Sequence, residues 1–220
     1  MDIPIYCISY NNIIRKNNMI EKFNKIDLKL KFINDISFDD PKMKIHDHVK
    51  CSHIILQHLN CINDYLNNST DEYCIVCEDD IYISKNLKND LPNIIKNFEE
   101  NELDILLLGY LYPYANNNSK IIKDFGYLFC EYDNNVWGTQ MYLISRKYAK
   151  FLIDNYFNED KIKDLKTPFA ADWVITKNGN RARLYPMVAV EDGINDCGHH
   201  GQNEFHRICC QLNYKQDIFI

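Results

Sequence analysis

The stretch YCIVCEDD, residues 73–80, joins an apolar run to three consecutive carboxylates. Tyr73–Cys77 has the composition and length of a buried strand. Two chemical signatures compete within it: a C-x-x-C spacing, and the acidic triplet Glu78-Asp79-Asp80. Residues three apart on a strand point to opposite faces, so the sulfurs of Cys74 and Cys77 do not readily meet. Thiol oxidoreductases place this motif at a helix N-terminus instead. A structural zinc site needs a second pair at matching spacing, and Cys209-Cys210 is merely vicinal. The two cysteines therefore read as small buried hydrophobes. The carboxylates fall where the strand ends, the edge at which open α/β sheets bind ligands. Hard cations such as Mg²⁺ and Mn²⁺ take one or two carboxylates there, with water and phosphate completing the shell. A solvated acidic turn is the other reading of the same three residues.

Outward from this strand the chain alternates strand and helix. Ile3–Ser9 reads as a first strand, followed by a helix carrying Ile13, Met19, Ile20 and Phe23 at helical spacing. Leu30–Ile33 reads as a second strand, and Lys42–Leu66 as a helix. A helix is expected over Asn86–Phe98, weakened by Pro92, and a buried strand over Asp104–Leu108. Phe125–Tyr132 and Thr139–Ile144 follow as strands, the latter running into a helix from Ser145 to Tyr156. Asn158–Lys166 is a charged linker, Pro168 opens a short helix around Asp172-Trp173, and Arg183–Val190 is the last strand. The pattern predicts an α/β sandwich with a mostly parallel central sheet. It spans residues 1–190, with an irregular His- and Cys-rich tail over 191–220 that could complete the site.

Composition bounds the function classes. The chain has 220 residues, 46% hydrophobic and 13% aromatic, enough for one sizeable core. Its net charge of −6 gives no global field for nucleic acid or acidic membranes. No stretch has the length and apolarity of a membrane span, and Met1-Asp2 begins no secretory signal. Nine scattered cysteines then point to free thiols in a reducing compartment, the cytoplasm, and the heavy use of Asn, Ile and Lys suggests an AT-rich genome and so a bacterial or virus-infected host cell.

Several motifs in order resemble glycosyltransferase family 25, which includes lipooligosaccharide and collagen galactosyltransferases. They are Arg15 with Met19, Ser52-His53, Glu78-Asp79-Asp80, Gly138-Thr139, Tyr142-Leu143-Ile144-Ser145-Arg146 with Ala149, and Pro168 followed by Asp172. The likeness runs from Ile3 to about Val190. The loop YNNIIRKNN carries fewer basic residues than the family pattern and lacks its proline.

The resemblance implies a GT-A-type, Rossmann-like enzyme using a UDP-sugar donor and Mn²⁺ or Mg²⁺. It would move galactose or glucose, with inversion, to a hydroxyl on a glycan or glycoprotein acceptor. Glu78 and Asp80 become the cation ligands, with a tail histidine, His200, completing the set. Asp79 would reach the ribose, while Arg15, Ser52, His53, Gly138 and Thr139 would line or support the donor crevice. Inversion needs one base, for which Asp172 is the first candidate and Glu191 the reserve. Asp172 could equally cap its short helix, and Trp173 could stack on a sugar or anchor that helix in the core. Ser52 and His53 suit a structural or loop-supporting role, and His46, His48 and His58 read as surface residues. Two further hypotheses stand beside this one: a degenerate nucleotide-sugar or glycan binder, and a thiol–metal protein built on Cys74, Cys77, Cys209 and Cys210.

Overall fold

The computed structural model describes residues 3–45, 49–113, 119–133, 135–163, 165, 168–194 and 199–220. In chain order its elements are β1 (Ile5–Cys7), α1 (Ile13–Lys25), a 3₁₀ turn (Pro41–Lys44), α2 (Val49–Asn68), β2 (Tyr73–Cys77), β3 (Ile81–Ile83) and α3 (Leu87–Glu100). There follow β4 (Ile105–Leu111), β5 (Ile121–Asp124), β6 (Leu128–Glu131), β7 (Trp137–Ser145), α4 (Arg146–Tyr156), α5 (Glu159–Lys163) and α6 (Ala171–Val174). β8 (Arg181–Tyr185), β9 (Ala189–Glu191) and α7 (His200–Asn213) complete the chain.

The central sheet has seven strands in the order β1-β2-β7-β4-β8-β6-β5. Strand pairing makes β1, β2, β4, β8 and β5 run one way and β7 and β6 the other, so most strands share a direction although only β1-β2 and β4-β8 pair in parallel. The reversed β7 lies between β2 and β4 and so starts at the edge where those strands end. Helices cover both faces: α2, α4 and α6 pack into one core, α1 and α3 into the other. Alternation along β2 explains why two cores exist. Cys74 and Val76 belong to the first, Ile75 and Cys77 to the second, so the C-x-x-C sulfurs sit on opposite sides of the sheet. Among the described residues no group of three or more His, Cys, Asp or Glu side chains is placed to hold a metal ion.

Several expected boundaries change. Leu30–Ile33 forms no strand; Lys31 alone bridges Tyr6 through backbone hydrogen bonds of 3.0 and 2.8 Å. The run Arg183–Val190 is broken at the cis Tyr185-Pro186 bond, because proline has no N–H for the ladder. Its second half becomes β9, which pairs antiparallel with β3. The tail expected to be irregular carries the 14-residue α7, on which Phe205, Ile208, Cys209 and Leu212 recur at helical spacing although only Cys209 is buried. The linker at Asn158–Lys166 contains α5, with acidic residues in its first turn and lysines in its last, as the helix dipole favours. No helix among the described residues is long and apolar enough to cross a membrane.

β9 carries Glu191 toward the end of β2, and its closeness to the main sheet depends on Gly109. A Cβ at that position would lie 2.8 Å from both the Cβ and the carbonyl oxygen of Ala189. Gly109→Ala is expected to lower stability by about 1–3 kcal/mol through this overpacking. Urea unfolding should show a reduced midpoint with an unchanged slope.

Candidate active site

The acidic triplet follows β2 at the parallel strands' C-terminal edge, where it borders a cleft of about 680 Å³. Each of its carboxylates meets a different environment. Glu78 accepts a hydrogen bond from the Thr139 hydroxyl at 2.8 Å and stands 3.6 Å from the imidazole of fully buried His58. Burial alone would push Glu78 up, but His58 and Thr139 outweigh it and hold the carboxyl below its ordinary value. Asp79 meets the Arg15 guanidinium at 3.4 Å, yet burial still pushes its pKa up. Asp80 is 8% exposed and lies 3.5 Å from Arg15. Burial first, then the charges of Glu78, Glu191, Asp192 and Asp79, push its carboxyl well above the usual range. Arg15 reaches both aspartates from the first turn of α1, whose start is fixed by the Asn12 side chain accepting from the Arg15 amide.

The first four residues of β7 join these groups to the rest of the cleft. The Gln140 side chain donates to Glu191 at 2.9 Å, and the other Glu191 oxygen lies 2.7 Å from Nδ1 of His206 on α7. Hydrogen bonding to Glu191 raises the His206 pKa. The Gly138 amide donates to the Asp172 carboxylate. Gly138 has φ +90°, a conformation glycine adopts without strain, and a Cβ there would strike the Gln140 side chain. Asp172 lies in the first turn of α6, but Ala170 holds the cap position, so Asp172 does not cap this helix. Burial pushes its pKa up despite the Gly138 hydrogen bond.

The family model for glycosyltransferase family 25 (LPS biosynthesis protein) matches residues 50–167, from α2 through the acidic triplet and β7 to the linker after α5. The chain belongs to glycosyltransferase family 25. It is a glycosyltransferase. No curated protein shows significant sequence similarity to it. Solved structures of related shape include A197 from STIV, at 15% identity over 86% of this chain and 84% of that one, with a TM-score of 0.48. A glycosyltransferase involved in glycosylation of the major capsid of PBCV-1 aligns at 10% identity over 94% and 97%, with a TM-score of 0.47. HddC from Yersinia pseudotuberculosis aligns at 14% identity over 96% and 78%, with a TM-score of 0.41.

In this glycosyltransferase, Arg15, His53, Glu78, Asp79, Asp80 and Glu191 all line the cleft, and Thr139 touches it through Glu78; Gly138 and Asp172, bonded to each other, do not line it. Ser52 does not line it; it is fully buried on the inner face of α2. His200 is exposed at the start of α7, and the tail histidine that reaches the cleft is His206, whose side chain is one and two-thirds turns further along that helix. His58, expected on the surface, is fully buried and faces Glu78. His46 and His48 lie outside the described residues. Trp173 is 40% exposed and does not anchor α6 in the core.

An aromatic wall that no sequence motif marks also lines the cleft. Tyr10 and Phe38 both pack on His53, with ring centroids 4.4 Å away, Phe38 stacked and Tyr10 edge-on. His53 is held in place by donating to the Ile36 carbonyl at 3.2 Å. Both outer rings sit in irregular segments, where no periodicity marks them.

Thr139→Val keeps the shape and removes the donor to Glu78, leaving a partly buried carboxylate short of one partner. A loss of about 1–2 kcal/mol is expected at neutral pH. Because the folded-state pKa of Glu78 is depressed, this contribution exists above its ordinary carboxylate value and fades as pH falls through the depressed one. The stability gap between parent and variant should therefore close in acid, as read by urea unfolding across pH.

Proposed function

We propose that the chain transfers a hexose, galactose or glucose, from a UDP-sugar to a hydroxyl of a glycan or glycoprotein, with inversion and with a divalent cation. The observation that carries this reading is the surplus of carboxylates at the end of β2. Glu78, Asp79, Glu191 and Asp192 all act on Asp80, and Arg15 pairs with Asp79 and Asp80. Such a site is costly alone and suits a hard cation. Asp80 with Glu78 would hold Mn²⁺ or Mg²⁺ through one or two carboxylates, the remaining positions falling to water and diphosphate oxygens. When bound, the cation would supply charge stabilisation to the departing diphosphate.

The remaining steps belong to the chain's own residues. The apolar and aromatic end of the cleft, with Tyr10 and Phe38 against His53, offers ring faces to a uracil. Arg15 adds positive charge near the diphosphate, and Asp79 can accept from ribose hydroxyls. Asp172 removes the proton from the acceptor hydroxyl as that oxygen attacks the anomeric carbon and the sugar–phosphate bond breaks. Its Gly138 hydrogen bond fixes the carboxylate, and burial raises its basicity toward what a base needs. Glu191 is the weaker candidate for this role, since Gln140 and His206 engage both of its oxygens. His206, held to Glu191, takes the place beside the carboxylates that His200 was expected to fill.

A panel of UDP-sugars with Mn²⁺, followed by release of free UDP, tests the reading; a folded protein that hydrolyses and transfers none of them contradicts it. Asp172→Asn should lower turnover about 10²–10⁴-fold. The ionised carboxylate is the active form and its pKa is raised, so the rate should climb with pH through a limb lying above the ordinary aspartate range. A pH–rate profile flat across that limb removes Asp172 as the base.

A further inference from the structure

Trp137 and Trp173 are the chain's two tryptophans, and both stand beside Asp172. Trp137 immediately precedes Gly138, whose amide holds the Asp172 carboxylate, and Trp173 immediately follows Asp172. Their indoles meet edge to face, with centroids 6.0 Å apart and planes at 70°. The Lys177 ammonium packs over this pair, 4.5 Å from the Trp137 ring and 5.8 Å from the Trp173 ring, and also 4.9 Å from Tyr132. Lys177 further donates to the Val136 carbonyl at 3.3 Å. The pair is thus clamped from one element to another, while Trp173 keeps 40% of its surface open. Neither tryptophan lines the large cleft, so the platform lies outside the donor crevice and next to the proposed base.

Trp173 presents an open indole face at an angle fixed by Trp137 and Lys177. Core packing does not explain Trp173, because α6 is only four residues long and buries Ala171 and Val174 instead. A transferase that moves a sugar must seat a hydroxyl acceptor within reach of its base, on the side away from the donor's leaving group. The C–H face of a pyranose carries partial positive charge and matches the negative face of an indole. Resting on the glycosyltransferase reading of Asp172, we infer that Trp173, oriented by Trp137 and Lys177, is the acceptor platform and takes a pyranose ring of a glycan. The acceptor is accordingly a sugar rather than a peptide hydroxyl. Lys177 acts as a positioning residue that holds the indoles at their angle.

The test uses the full chain with UDP and Mn²⁺ and four defined probes: methyl β-galactoside, methyl β-glucoside, methyl α-mannoside and lactose. Because both indoles sit at this one place, intrinsic tryptophan fluorescence of the parent reports on it alone. At least one probe should shift the emission saturably, with affinity in the millimolar range usual for single sugars. Saturation-transfer NMR should show the same probe receiving magnetisation from the parent, losing it in Trp173→Ala and regaining part of it in Trp173→Phe. The exposed position of Trp173 leaves folding intact, which a melting curve checks. No emission change with any probe, or saturation transfer that survives unaltered in Trp173→Ala, overturns the platform. Calorimetric UDP binding by the parent separates the two readings, since its absence sinks the nucleotide-sugar assignment and leaves the sugar result to be judged by itself.

Discussion

The backbone hydrogen bond from the Glu78 amide to the Gln140 carbonyl, 2.9 Å long, registers the acidic end of β2 against the beginning of β7. This register is possible because β7 runs against its neighbours and enters the sheet at the edge where they leave it. Four successive β7 residues then reach four partners: Trp137 to Trp173, Gly138 to Asp172, Thr139 to Glu78, and Gln140 to Glu191. A slip of one residue would turn the Trp137, Thr139 and Gln140 side chains to the other face and move the Gly138 amide off Asp172. The buried ladder between β2 and β7, from Tyr73↔Ser145 to Cys77↔Met141, resists that slip with apolar packing on both sides.

The same register sets the electrostatics. Carboxylates from β2's end, from β9 and from the segment after it crowd one place, and burial there makes their repulsion expensive. The chain answers with Arg15 from α1, His58 from α2 and His206 from α7, so three helices on different parts of the fold contribute to one balance. That balance is uneven. Glu78 is held ionised, whereas Asp80 is pushed toward its neutral form, which marks Asp80 as the group with most to gain from a bound cation.

Much of this was legible before the fold was known. The alternation in YCIVC placed Cys74 and Cys77 on opposite faces, and the structure puts them in separate cores. The long, strongly apolar β4 and β7 were also visible, as was the position of the acidic triplet at a strand end. What escaped detection was short or distant. β3 and β9 have three residues each and find each other over a hundred positions apart, so no local period reveals them. His58 sits on a helix whose period does not say that its polar ring will face a carboxylate brought from β2. α7 carries Phe205, Ile208, Cys209 and Leu212 at helical spacing, but this stripe is short and lies among His and Cys residues that suggest a ligand-bearing tail, so neither the helix nor the inward position of His206 stands out from the sequence.

The central claim is that the carboxylates around Asp80 accept a cation together with a nucleotide diphosphate. Calorimetric titration of UDP into the parent and into Asp80→Asn, each with Mn²⁺ and with a chelator, measures this directly. Mn²⁺ should strengthen UDP binding to the parent, and Asp80→Asn should remove most of that gain. Equal UDP affinity with Mn²⁺ and with chelator in the parent would contradict it.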